Sequence, residues 1–310
     1  MKYLIISTNA IGDTYLSASS IRVIKSNDKD AEIDFIISTK SQSILEFLSL
    51  DNIYTVRKNY FDLLSTAFKV RKQKYDYVFS FFPGLVNTFF FLISKGSKKG
   101  GYVNFIRRNE WYGKKQKVVI KGTYQKKLFW LPDDNYLDRI KIPLSVFFDL
   151  SINDCFQKKI LEIIPSKSNY TDSILIHPFS RSKERALGHE SLKKLVNHFE
   201  KHAKVFLIGL ANDFLNFNDS TIPRLQDLTF KELVEAILSC KLFIAVDSFP
   251  IHIADAHNTN FIGLFGPTNP KAVLENYSNA IRFNTNRLDD LTFGMLIKEL
   301  DVSINKKMKT

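Results

Sequence analysis

What this chain lacks narrows its chemistry early. Its two cysteines, Cys155 and Cys240, are too few for a disulfide framework, which points to a reducing, cytosolic compartment. No Cys/His cluster has metal-ligand spacing, so no metal site is expected. Neither G-x-G-x-x-G nor a P-loop is present, which argues against a dinucleotide fingerprint and a Walker-type site. The N-terminus has no basic region followed by a long apolar one, so no signal peptide is expected. The most membrane-like run, Tyr77 to Ser94, is interrupted by Pro83, Gly84 and Asn87. Neither half reaches the roughly 20 residues needed to span a bilayer. It reads as a buried strand, a turn and an aromatic-rich helix.

Positive charge is plentiful and uneven. The net charge is +12; up to Pro165 there are 26 Lys and Arg against 16 Asp and Glu, and beyond it 18 against 16. Lys95 to Lys127 holds eleven cations and one acid, Glu110, interleaved with aromatic residues such as Tyr102, Phe105 and Trp111. Arg107 and Arg108 can clamp phosphate or carboxylate bidentately, and aromatic rings can stack on sugar faces. Lys98, Lys99, Arg107, Arg108 and Trp111 are therefore candidates for holding an anionic partner or docking on an anionic membrane surface. A solvated basic loop and a nucleic-acid-binding stretch are the competing readings.

A chain of 310 residues with 45% hydrophobic residues accommodates one or two domains. Strand-like segments at Lys2 to Ser7, Ala31 to Ile37, Ile53 to Val56 and Tyr75 to Phe81 alternate with helix-like ones. The helices are Thr14 to Lys25, Ser41 to Leu48 and Phe61 to Gln73. Lys95 to Pro143 is less regular, and Pro165 to Asn169 reads as a linker. A second series follows, with strands at Ser173 to His177, Val205 to Gly209, Leu242 to Val246 and Phe261 to Leu264. Its helices are His189 to Lys201, Phe230 to Ser239, one starting near Phe249, and a closing one at Leu291 to Leu300. The βα alternation implies two α/β domains with parallel sheets, residues 1–165 and 166–310, with a central cleft between them.

The residues that can carry chemistry stand at strand ends. After the first strand, Gly12 can take φ > 0 and Asp13 opens a helix. Asp13 is either a helix N-cap or a carboxylate acting as general base. In the second half, His177-Pro178-Phe179-Ser180-Arg181-Ser182-Lys183-Glu184-Arg185 follows a strand. Hydroxyls followed by cations suit a diphosphate, or make an ordinary solvated loop. Asp213 stands where a ribose diol could be held. Asp247 and Ser248 end a buried strand, and His252 lies one turn inside the helix that starts near Phe249. Free N–H groups at such a helix start favour an anion; simple capping and packing is the alternative.

Together these stretches resemble glycosyltransferase family 9, the heptosyltransferase family. The resemblance covers most of the chain and rests on I-G-D near the start, S-x-x-x-x-R in the middle, and D-S-x-P-x-H-x-A followed by L-F-G-P-T-N-P. It implies the two-domain GT-B fold, two Rossmann-like α/β domains facing a central cleft. It also implies an inverting, metal-independent transferase that needs no cofactor beyond its nucleotide-sugar co-substrate. Such enzymes typically move heptose from ADP-heptose to a saccharide of the bacterial surface, such as lipopolysaccharide core or capsule. Residues 1–165 would bind the acceptor and residues 166–310 the nucleotide sugar. Asp13 would be the base, with Gly12 beside the acceptor. Ser180, Lys183, Arg185, Asp213, Asp247, Ser248, Phe249 and His252 would surround the donor. Arg185 replaces a usual lysine, Phe249 a usual glycine, and Leu187 a usual tryptophan. A nucleotide-sugar epimerase or hydrolase on the same fold is the enzymatic rival. The expected setting is cytoplasmic, with peripheral contact at the inner face of the membrane.

Overall fold

The computed structural model describes residues 1–45, 47, 48, 50–57, 59–103, 117–121, 138–148, 170–215, 217 and 221–307. The chain divides into two compact units, Met1–Leu161 and Glu162–Thr310. The expected boundary near residue 165 lies outside the described residues.

In the first unit the elements run β1 (Lys2–Ser7), α1 (Ile11–Asn27), β2 (Glu32–Ser38), α2 (Gln42–Leu45), β3 (Asn52–Val56), α3 (Tyr60–Lys72), β4 (Tyr75–Ser80), α4 (Leu85–Ile93), β5 (Gly96–Val103), β6 (Lys117–Lys121) and α5 (Asp138–Ser145). The sheet order is β3-β2-β1-β4-β5-β6, parallel except where β6 pairs with β5. Successive side chains of a strand point to opposite faces. Tyr3 and Ile5 accordingly join Leu16, Ile21, Ile24 and Leu144 on one side, and Leu4 and Ile6 join Val70, Phe90 and Phe91 on the other. Burial on both faces explains why these strands read as continuous apolar runs.

The second unit runs β7 (Ser173–His177), α6 (His189–Phe199), β8 (Lys204–Gly209), β9 (Arg224–Gln226), α7 (Phe230–Ser239), β10 (Leu242–Val246), α8 (Phe249–Ala256), β11 (Phe261–Phe265), β12 (Ala280–Arg282) and α9 (Phe293–Lys307). Its sheet order, β12-β11-β10-β7-β8-β9, is all parallel and repeats the first unit's strand order. In each sheet the strand order reverses beside the unit's first strand, between β1 and β4 and between β7 and β10. The crevice outside the carboxyl ends at such a reversal is where open α/β sheets bind ligands.

The alternating βα segments are where the sequence places them, with three differences. The helix expected over Ser41 to Leu48 is a 3₁₀ turn and the single turn α2. The less regular stretch after Lys95 contains β5, β6 and most of α5, of which β5, G-S-K-K-G-G-Y-V, has little β propensity. Its glycines are there for close approach: a Cβ on Gly101 would lie 2.4 Å from the Ser80 carbonyl oxygen, and one on Gly96 2.5 Å from Val78 Cγ2. The short strands β9 and β12 also went unread, three residues each being too few for a period. Tyr77 to Ser94 is the end of β4, a turn and α4, as expected. Among the described residues no helix is long and apolar enough to cross a membrane.

Candidate functional site

The reversal between β7 and β10 gathers most of the residues singled out from the sequence. Asp247 follows β10, and its side chain is 6% exposed. Its Oδ2 accepts from Arg185 Nη1 at 2.9 Å, and its backbone carbonyl accepts from Ser180 Oγ at 3.2 Å. Arg185 and Ser180 both lie in the loop after β7, which is folded back by the Leu187 N–H on the Pro178 carbonyl at 2.9 Å. Leu187 is buried in the core, so it anchors this loop from below. Lys183, in the same loop, is exposed on a 3₁₀ turn. The contact to Asp247 is through one nitrogen of a guanidinium that carries five donors in a planar fork.

Ser248 caps the start of α8 by position, but its hydroxyl does not bond to the helix. It lies 3.1 Å from His177 Nδ1 and 3.1 Å from the Val246 carbonyl, to which it can donate. His177 is buried at the end of β7, and burial pushes its pKa down to about 4. It is therefore a neutral imidazole at the base of the site. His252 is buried one turn into α8. The helix start offers less to an anion than the sequence suggests. Pro250 has no N–H, and the Ile251 N–H closes on the Ser248 carbonyl at 3.2 Å. Phe249, half-buried, has its ring 6.1 Å from that of Phe230, nearly parallel to it. Its side chain therefore packs sideways onto α7.

Farther along this edge, Asp213 Oδ2 accepts the Leu210 N–H at 2.8 Å and closes the turn after β8. A second carboxylate, which sequence reading missed, does similar work. Asp227 Oδ1 accepts the Ala211 N–H at 3.0 Å from a left-handed backbone, φ 50°. Asp255 was also missed; fully buried in α8, it accepts the Glu275 and Asn276 N–H groups at 3.0 and 2.9 Å and ties down the segment after β11. An acid inside the apolar run I-A-D-A was the available signal.

The first unit's reversal holds Asp13. The expectation for Gly12 is corrected: it is the second residue of α1, so the turn out of β1 is made before it. The N-cap is Ala10, and Asp13 stands in the first helical turn, half-buried, with its carbonyl accepting from Ser17 Oγ at 2.7 Å. Asp13 is thus not an N-cap, though its charge still suits a helix start. The preceding loop is pinned from α4. Asn87, fully buried, accepts from Thr8 N and Oγ1 at 2.8 and 2.7 Å and donates to the Phe82 carbonyl at 2.8 Å. Asn9 Nδ2 donates to the Pro83 carbonyl at 3.0 Å, and a Cβ on Gly84 would lie 2.6 Å from Asn9 Oδ1.

The basic stretch divides. Lys99 is buried, and its Nζ donates to the Phe91 carbonyl at 2.8 Å and to that of Ser94, capping the C-terminus of α4. That placement corrects its reading as a surface cation for a ligand. Lys98 is half-buried with its Nζ 2.9 Å from Tyr77 Oη and over that ring. Arg107, Arg108 and Trp111 lie outside the described residues.

Residues 64–291 match the family described as Glycosyltransferase family 9 (heptosyltransferase). The chain is 26% identical over 326 residues to lipopolysaccharide heptosyltransferase 1 of Campylobacter coli, covering 94% of this chain and 89% of that protein. Among solved structures, the glycosyl transferase family 9 protein of Veillonella parvula superposes with TM-score 0.72 at 15% identity, covering 98% of this chain and 97% of that one. The E. coli heptosyltransferase WaaC with ADP gives TM-score 0.72 at 12% identity, covering 98% of this chain and 100% of that one. The fold is GT-B, and the chain belongs to glycosyltransferase family 9, the heptosyltransferase family, as a glycosyltransferase.

Proposed function

We propose that the protein is an inverting, metal-independent heptosyltransferase. It would transfer heptose from ADP-heptose to a hydroxyl of a lipopolysaccharide-type core saccharide. The family supports the transfer of a sugar. The relatives named lipopolysaccharide heptosyltransferase 1 and lipooligosaccharide heptosyltransferase 2 support the acceptor class. The WaaC complexes with ADP and with ADP-2-deoxy-2-fluoro heptose support the donor.

The observation that carries the reading is the Arg185–Asp247 pair, with Ser180, at the β7/β10 reversal. In this proposal the second unit binds the nucleotide sugar. Its diphosphate meets Arg185, Ser180 and Lys183, and its ribose lies toward Asp213 and Asp227. Charge grows on the diphosphate as the glycosidic bond breaks, and a preorganised cation then stabilises the transition state more than the ground state. The first unit binds the acceptor. Asp13 takes the hydroxyl proton while the oxygen attacks the anomeric carbon opposite the departing diphosphate, inverting the configuration. Arg107 and Arg108 would bind the acceptor's anionic groups, and Trp111 would stack on a sugar face. The reaction belongs on the cytoplasmic side, where nucleotide sugars are made.

The test uses the full-length protein with ADP-heptose and a heptose-deficient lipooligosaccharide, read by mass spectrometry and by NMR of the new linkage. A heptose-sized gain with inverted anomeric configuration, unchanged by chelator, is expected. Donor consumed without any gain on the acceptor would favour the epimerase or hydrolase reading. Retention of configuration, or loss of activity with chelator, would remove the corresponding part of the proposal.

A further inference from the structure

The outer face of α3 carries an apolar stripe. Phe61, Leu64 and Phe68 recur at i, i+3 and i+7, which places them on one side of the helix. They are 88%, 52% and 67% exposed, and Tyr60 beside them is 85% exposed. The opposite side, with Thr66, Ala67 and Val70, is buried against the sheet, so the fold is already satisfied without the stripe. Leu85 and Leu92, on the neighbouring α4, are exposed as well. Single exposed apolar residues are ordinary; a row of them on adjoining helices marks an interaction surface.

The charges around the stripe say what covers it. Lys69, Arg71 and Lys72 are exposed in the last turn, with Arg57 before the helix and Lys74 after it. At 100° per residue, Lys69 and Lys72 fall on one side of the stripe and Arg71 on the other. The helix has one acid, Asp62, whose N–H donates to the Asn59 cap and whose carboxylate accepts from Asn59 Nδ2. An aromatic stripe rimmed by cations is the pattern of a helix lying in a membrane interface, with rings among the acyl chains and cations at the phosphates. A two-fold contact between copies would instead set each cationic rim against itself.

We propose that α3 docks the protein on an anionic lipid bilayer, lying in the plane of the surface. The basic stretch from Lys95 to Lys127 was the sequence-level candidate for this role; the surface now in view is a different one. The inference is independent of the reaction proposed above, because it involves none of the donor or base residues.

The test is co-sedimentation of the full-length protein with vesicles of phosphatidylglycerol and phosphatidylcholine, and with phosphatidylcholine alone. Binding is expected on the anionic vesicles and should weaken with salt. Phe61→Ser with Phe68→Ser should lower partitioning by about tenfold per ring while thermal stability and ADP affinity hold, since both rings are exposed. Lys69→Gln, Arg71→Gln and Lys72→Gln together should abolish the preference for the anionic lipid. A Phe68→Trp variant should show blue-shifted emission, quenched by brominated lipid. Wild-type protein that ignores anionic vesicles, or a double serine variant that binds as well as wild type, overturns the proposal. So does a wild-type dimer in ultracentrifugation that the serine variant converts to monomer while vesicle binding is unchanged, which would make the stripe a self-interface.

Discussion

Arg185 and Asp247 are joined at 2.9 Å across the β7/β10 reversal, one from the loop after each strand. The aspartate is buried and the arginine about a third exposed. The pair therefore has two jobs, to neutralise a buried carboxylate and to aim a cation. Arg185→Ala should weaken ADP binding by more than it weakens adenosine binding. It should also cost about 1–3 kcal/mol of stability, toward the lower end because the arginine is partly solvated. Adding Asp247→Asn should recover much of the stability but not the ADP affinity. Calorimetry and thermal denaturation separate the two effects. An equal loss for ADP and adenosine would take Arg185 out of the proposed phosphate site.

Asp13 lies in the first turn of α1 without capping it. Asp13→Asn keeps the shape and removes the charge, so the stability loss should be within about 0.3–1 kcal/mol. Turnover should fall by about 10²–10⁴ if the carboxylate is the base. ADP affinity should hold, since the proposed donor residues all belong to the second unit. Near-normal turnover would reduce Asp13 to a favourable charge at a helix end.

The residues after β10 were legible because they are local. Asp247, Ser248 and His252 follow a buried strand within six positions, and the strand-to-helix switch is visible in the apolar pattern. Their partners were not legible. Nothing in the spacing says that Arg185, 62 residues earlier, would pair with Asp247, or that His177 would lie against Ser248. Those contacts come from β7 and β10 being neighbours, a fact of topology. The same holds for Asn87, which reads as an interruption of an apolar helix. Lys99 shows the converse error: composition counted it with a basic surface, and folding turned it inward onto helix carbonyls that need donors.

Asn87 is the position where that hidden topology should matter most for the reaction. It accepts from the backbone and hydroxyl of Thr8 and donates to the Phe82 carbonyl, all in buried surroundings. Asn87→Leu keeps the volume but strands these groups, at a cost of about 2–4 kcal/mol. The loop leading to Asp13 should loosen, lowering kcat while ADP affinity stays. Full kcat in a folded variant would show that Asn87 serves stability alone.

His177 supplies a pH dependence whose sign is fixed. Burial holds its folded pKa at about 4, whereas an unfolded histidine titrates near 6.5. The unfolded chain therefore takes up this proton first as the pH falls. The contribution of His177 to stability is complete above pH of about 6.5 and is lost progressively as the pH drops toward 4, by up to about 3 kcal/mol. His177→Asn removes the titration and retains a group that can reach Ser248. Denaturant unfolding of both proteins between pH 7 and 4.5 should give curves that converge as the pH falls, because wild type alone bears this penalty. Parallel curves would mean that native His177 takes up its proton near its ordinary pKa. The imidazole would then not be held neutral at the base of the site.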